Sequence, residues 1–275
     1  MPQTLTSVDS DSARPTVVLV HGAFTDSSSW NDVITFLRDD GYPVVAAANP
    51  LRGLPADAAC LRTVLDSVSG PLVVVGHSYG GSVVSEAAGD NPRVRALVYV
   101  AGFIPDEGES TAELASRHPG HGLALDAAPV ADVEGQDSGL LYLPRDRFHE
   151  VFCADVPEDV AALMAITQRP VAADALRDRA TGAAWRTIPS WNVVAAHDLV
   201  VPARLQRFMG ERAGSHTVEM EASHAVAVSQ PGAVARVVDD AARTAAGLPR
   251  AIRPSWARPR GRCWCSPRGP AGARR

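Results

Sequence analysis

Ser78 has the clearest chemical context in the chain, in Gly76-His77-Ser78-Tyr79-Gly80-Gly81. A G-x-S-x-G pattern carries meaning only between a strand and a helix. Here the apolar run at 72–75 (LVVV) precedes it, and residues 82–88 read as the start of a helix. The pattern predicts a sharp turn that lifts the Ser78 hydroxyl above a sheet. Gly76 and Gly80 are needed because a side chain there would meet the neighbouring strand or helix. The helix that follows aims its amino terminus at the site, which favours negative charge. Serine is a weak nucleophile until an imidazole takes its proton. Of the eight histidines, His224 in Ser223-His224-Ala225 fits that task, because it follows the last strand-like run. His21 and His77 belong to glycine motifs, His197 and His216 flank strands, and His118, His121 and His149 lie in a Pro-rich interval.

An imidazole that works as a base needs a carboxylate on its other nitrogen to fix its tautomer. Asp198, between a strand and a helix, is the favoured candidate, and Asp106 and Glu107 compete for the role. Acyl transfer also needs two backbone N–H groups aimed at a developing oxyanion. One comes from the residue after the nucleophile, Tyr79. The other comes from the loop His21-Gly22-Ala23-Phe24, where Ala23 is the candidate donor and Phe24 the alternative.

These residues need a scaffold, and the rest of the chain supplies one. Mostly apolar, β-branched runs lie at 16–20, 44–47, 72–75, 96–100, 191–195 and 217–220. Runs that are apolar throughout suit strands buried on both faces of a parallel sheet. Between them, 28–38, 56–68, 203–213 and 233–246 show helical apolar spacing. The alternation predicts a doubly wound α/β sheet. Residues 103–186 break the rhythm: they hold many Pro and Gly, no clear strand, and two plausible helices at 157–168 and 172–179. A structureless loop of that length is implausible, so the interval reads as an inserted cap. The expected organisation is a flexible segment (1–15), a core (16–102 and 187–247), the cap (103–186) and a disordered tail (248–275).

Composition narrows the partners. The chain has 275 residues, 26 basic and 31 acidic, for a net charge of -5. The tail from Leu248 carries eight arginines and no acid, so the body holds 26 − 8 = 18 basic against 31 acidic residues, or -13. An acidic body disfavours nucleic acid. No apolar run is long enough to span a membrane and no export signal is evident, so a cytoplasmic location is expected. The four cysteines show no C-x-x-C pair, and no zinc site or disulfide framework is suggested.

Taken together, these residues resemble the α/β-hydrolase superfamily, and within it the small methylesterase and hydroxynitrile-lyase-like branch. The matching features are the His21–Phe24 loop with Trp30 shortly after, Asn49-Pro50-Leu51, the Ser78 motif, His197-Asp198 with Pro202, and Ser223-His224-Ala225. The chain order Ser78, Asp198, His224 is the one this family uses. The resemblance covers residues 15–246. It implies about six strands, an inserted helical cap, no cofactor and no metal, and action on a small-molecule carboxylic ester. Candidate substrate-lining residues are Phe24, Phe103, Tyr142, Phe152 and Met164. Dehalogenases of this family carry aspartate where Ser78 stands. Its cyanide lyases carry lysine where Ala225 stands, and this chain has no lysine. A receptor-like binding role and lyase or carbon–carbon bond hydrolase chemistry remain the alternatives.

Overall fold

The structure is a computed structural model describing residues 14–117, 128–131 and 137–247. The expected tail, and all of the expected flexible start before Arg14, lie outside those residues. Along the chain come β1 (Thr16–Val20), a 3-10 turn (Ser27–Trp30), α1 (Asn31–Asp39), β2 (Val44–Ala47), α2 (Leu54–Ser67), β3 (Leu72–His77), α3 (Tyr79–Ala87) and β4 (Val94–Val100). An inserted stretch follows, with α4 (Thr111–Arg117), β5 (Ala128–Ala131), β6 (Asp137–Tyr142), α5 (Arg145–Phe152), α6 (Glu158–Thr167), β7 (Val171–Ala172), α7 (Ala173–Arg177) and a 3-10 turn (Ala184–Arg186). The chain then returns as β8 (Ser190–Ala195), α8 (Ala203–Arg212), β9 (His216–Met220), α9 (Val226–Ser229) and α10 (Pro231–Ala245).

Six strands form one sheet in the order β2-β1-β3-β4-β8-β9, and every pairing is parallel. The six runs expected from the sequence are these six strands. The inner strands β1, β3, β4 and β8 are buried on both faces, and alternate residues serve opposite cores, while the edge strand β9 is exposed at four of its five residues. Val18, Val20, Val74, Leu97 and Tyr99 face the core shared with α2, α3 and the insertion. Val17, Leu19, Val73, Val75 and Val98 face the core built with α1 and α10. That double burial explains why β1, β3 and β4 read as nearly unbroken apolar runs.

The insertion departs from expectation in one respect. Besides its helices it holds a three-stranded antiparallel sheet in the order β5-β6-β7. These strands are short, include Pro129 and Gly139, and show no apolar alternation. Their pairing comes from tertiary neighbours rather than from local propensity, so the sequence pattern misses them. The insertion is tied back to the core, since Ala172 N–H donates to Leu51 O (2.9 Å) and Leu54 N–H donates to Asp178 Oδ2 (2.9 Å).

Candidate active site

Strand order reverses between β1 and β3, where loops leaving the carboxyl ends of an open parallel sheet diverge and leave a crevice. Ser78 stands there, between β3 and α3, at φ 53° and ψ -125°. A non-glycine residue so placed stores about 1–3 kcal/mol of backbone strain and persists only where its surroundings fix it. Ser78 N–H donates to Val100 O (3.2 Å), and Ser78 O accepts from Gly81 N–H (2.9 Å) and Phe103 N–H (3.1 Å). A Cβ on Gly76 would lie 2.6 Å from Gly80 O, and one on Gly80 would lie 2.6 Å from Val20 O. The turn closes only because both positions lack a side chain.

Asp198 follows β8 and His224 follows β9, on adjacent strands. His224 Nδ1 donates to Asp198 Oδ2 at 2.7 Å, and neither side chain has any exposed surface. Asp198 Oδ1 accepts from Val200 N–H and Val201 N–H, both at 2.8 Å, and Oδ2 accepts from Gln206 Nε2 at 2.8 Å. Four accepted hydrogen bonds fill the capacity of an ionised carboxylate. The orientation of the imidazole is thereby set, and its Nε2 is buried with no hydrogen-bond partner among the described residues. A buried polar atom without a partner costs about 1–3 kcal/mol, so this nitrogen calls for an explanation beyond packing. The competing carboxylate, Asp106, is engaged elsewhere: Arg186 Nε and Nη2 donate to its two oxygens at 2.8 and 2.7 Å.

The loop after β1 reaches the same point. A Cβ on Gly22 would stand 2.6 Å from Ser78 Cβ, so only glycine lets this loop lie against the serine. His21 holds the loop: its Nδ1 donates to Gly22 O (2.9 Å) and its Nε2 accepts from Asn49 N–H (3.0 Å). That pattern requires the neutral ring, and burial depresses the His21 pKa accordingly. Among the described residues the N–H groups of Ala23 and Tyr79 have no acceptor. The Tyr79 side chain is anchored below, where its hydroxyl donates to buried Asp57 Oδ2 (2.8 Å). Burial, and next the Asp57 carboxylate, raises the Tyr79 pKa well above the ordinary phenol value.

The expected lining residues are scattered. The Phe152 ring meets the His224 ring edge-on at 4.8 Å, and Phe152 O accepts from Ala225 N–H (3.1 Å). Phe24 and Met164 line one cleft of about 710 Å³ between the loop after β1, α1 and α6, with Leu163 and Val228. Phe103 is fully buried in the core. Tyr142 is half-buried in the small sheet, where it pairs with Ala128. Sequence reading missed Gln206, which donates to Asp198, and the contact of His77 with the His224 main chain. The His77 Nε2 lies 3.0 Å from His224 O. A glutamine on a helix face gives no signal of its own. Among the described residues no group of three His, Cys, Asp or Glu side chains converges as metal ligands would.

A parallel sheet with a strained serine turn after β3 and a buried Asp–His pair after β8 and β9 defines a class. The chain matches the alpha/beta hydrolase family over residues 17–237 and belongs to it, as the sequence resemblance implied. It is 27% identical to probable hydrolase R7 of Phoma sp. over 83% of this chain and 98% of that protein. It is likewise 27% identical to the pyrethroid hydrolase of Sphingobium wenxiniae, over 82% of this chain and 86% of that one. The solved structure of polyneuridine aldehyde esterase shares the fold at a TM-score of 0.71, with 19% identity, over 82% of this chain and 98% of that chain.

Proposed function

We propose that this alpha/beta hydrolase is a serine carboxylesterase acting on a small, fairly apolar ester. Ser78 Oγ attacks the carbonyl carbon as its proton passes to His224 Nε2. Asp198 holds the imidazolium that forms. The N–H groups of Ala23 and Tyr79 receive the oxyanion, and each such donor contributes about 10²–10³ in rate. The tetrahedral intermediate collapses to an acyl-Ser78 ester, and His224 returns the proton to the departing alcohol oxygen. Water then attacks the acyl group, giving its proton to His224, and the carboxylic acid leaves as Ser78 regains its hydroxyl hydrogen.

The observation that carries this reading is the state of the His224 ring. One nitrogen is bonded to a buried carboxylate and the other is buried without a partner among the described residues, and the His224 carbonyl lies 3.0 Å from the ring of His77, the residue before a serine in a strained turn. The company the chain keeps agrees, since its matched relatives are named as hydrolases and one matched structure as an esterase. Phe152 offers an apolar wall beside the His224 ring, whereas the cleft lined by Phe24 and Met164 is lined by neither Ser78 nor His224. Ser78→Ala lowers turnover of a panel of p-nitrophenyl esters by about 10⁴-fold or more under this mechanism. Activity within ten-fold of the wild type would remove Ser78 as nucleophile.

A further inference from the structure

We propose that His77 is the positioning residue for the base: it holds the main chain of His224 from the position next to the nucleophile. The proposal rests on the serine-esterase reading above. His77 Nε2 lies 3.0 Å from His224 O, and a carbonyl only accepts, so Nε2 carries the hydrogen. Ser78 is the next residue in the chain. One peptide unit, one imidazole and one hydrogen bond therefore connect the nucleophile to the base. The ring itself is pinned, with Trp30 edge-on at 6.2 Å, Phe152 edge-on at 6.3 Å and the His224 ring at 4.7 Å. A phenylalanine would fill this buried space without the cost of desolvating a polar ring. What histidine adds is a single donor, aimed at the base.

The same surroundings keep His77 uncharged. Burial first, then the neighbouring His224, with His21 assisting and the bond to His224 O opposing, lower its pKa to about 3. The titratable groups around it are His224 on the loop after β9, His21 on the loop after β1, and Asp198 behind His224. Trp30 and Phe152 carry no charge. A neutral His77 places no cation beside the imidazolium that forms on His224, and it does not compete for the serine proton.

The test compares His77→Phe, which fills the space without donating, with His77→Gln, whose amide nitrogen reaches about as far as Nε2. Both are measured on the full chain with p-nitrophenyl acetate, alongside Ser78→Ala and thermal unfolding. His77→Phe should lower kcat about 10- to 100-fold with KM within about two-fold, the signature of a base slightly out of place. His77→Gln should recover kcat to within about five-fold of the wild type. Fluorophosphonate labelling of Ser78 should slow in the same order. A folded His77→Phe with kcat within two-fold of the wild type overturns the proposal, as does equal loss in a folded His77→Gln. Should His77→Phe fail to fold, His77→Gln kinetics decide alone: within five-fold supports, a larger loss overturns. Full activity in Ser78→Ala would instead overturn the esterase reading itself.

Discussion

Replacing Asp198 by asparagine tests the site more sharply than deletion, because the shape stays and only hydrogen-bond polarity changes. The carboxylate accepts from Val200 N–H and Val201 N–H on one oxygen, and from Gln206 Nε2 and His224 Nδ1 on the other. A carboxamide has one oxygen. If that oxygen keeps the two backbone donors, its NH2 group faces Gln206 Nε2 and His224 Nδ1. Donor then meets donor at Gln206, at a cost of about 1–3 kcal/mol for the unpaired group. At His224 the new N–H drives the ring to the tautomer with its hydrogen on Nε2, the atom proposed to accept the serine proton. The imidazolium formed in the reaction also loses its ionic partner. In a serine triad these effects together cost about 10⁴ in kcat. At pH 7.5 with p-nitrophenyl acetate, Asp198→Asn should therefore fall by about 10³–10⁴ in kcat. Its Tm should drop by roughly 2–10 °C, from about 1–3 kcal/mol in a protein of this size. A folded variant that retains more than a tenth of wild-type kcat would refute the assignment and reopen the case for Asp106.

Gly22→Ala should abolish most activity while the fold survives. A Cβ would stand 2.6 Å from Ser78 Cβ and 2.9 Å from His77 O, so the loop carrying Ala23 must move away. The expected loss is about 100-fold in kcat, the value of one oxyanion donor, and circular dichroism should show unchanged secondary structure. Wild-type kinetics in Gly22→Ala would count against Ala23. The pH dependence of stability should expose His77. Its folded pKa, about 3, lies below the unfolded value of 6.5. The unfolded chain binds the extra proton, so this stabilisation is full above pH 6.5 and is lost as pH falls toward 3. Denaturant titrations of His77→Gln at pH 6 and pH 4 should show a slope shallower by about 1.4 kcal/mol per pH unit than the wild type. An unchanged slope would mean that His77 is not held neutral by the fold.

The six strands of the sheet and the serine turn were legible in the sequence because each rests on local rules. Runs such as 16–20 are apolar throughout, since Val17 and Leu19 serve one core while Val18 and Val20 serve the other. The glycines at 76 and 80 mark a turn whose backbone leaves no room for Cβ. The small sheet in the insertion was illegible for the opposite reason. Val171–Ala172 is a strand only because β6 lies beside it. The lining residues fared unevenly: Phe152 reaches His224, whereas Phe103 of the same residue type is spent on the core.

Residue type and order along the chain determined that a serine, two loops of backbone donors, an acid and an imidazole were available, because these depend on glycine placement and on short strand-to-helix turns. Distances between segments far apart in sequence were decided only by the folded chain. Asp198 and Asp106 are both carboxylates just past a strand, and pattern favours Asp198 without bringing either to the imidazole. The fold sets one against His224 Nδ1 at 2.7 Å and the other in the grip of Arg186. The same holds for His77, which reads as a spacer in a glycine motif until the loop after β9 brings the His224 carbonyl within 3.0 Å. Hydrogen bonds act over about 3 Å, and only tertiary packing brings remote residues that close.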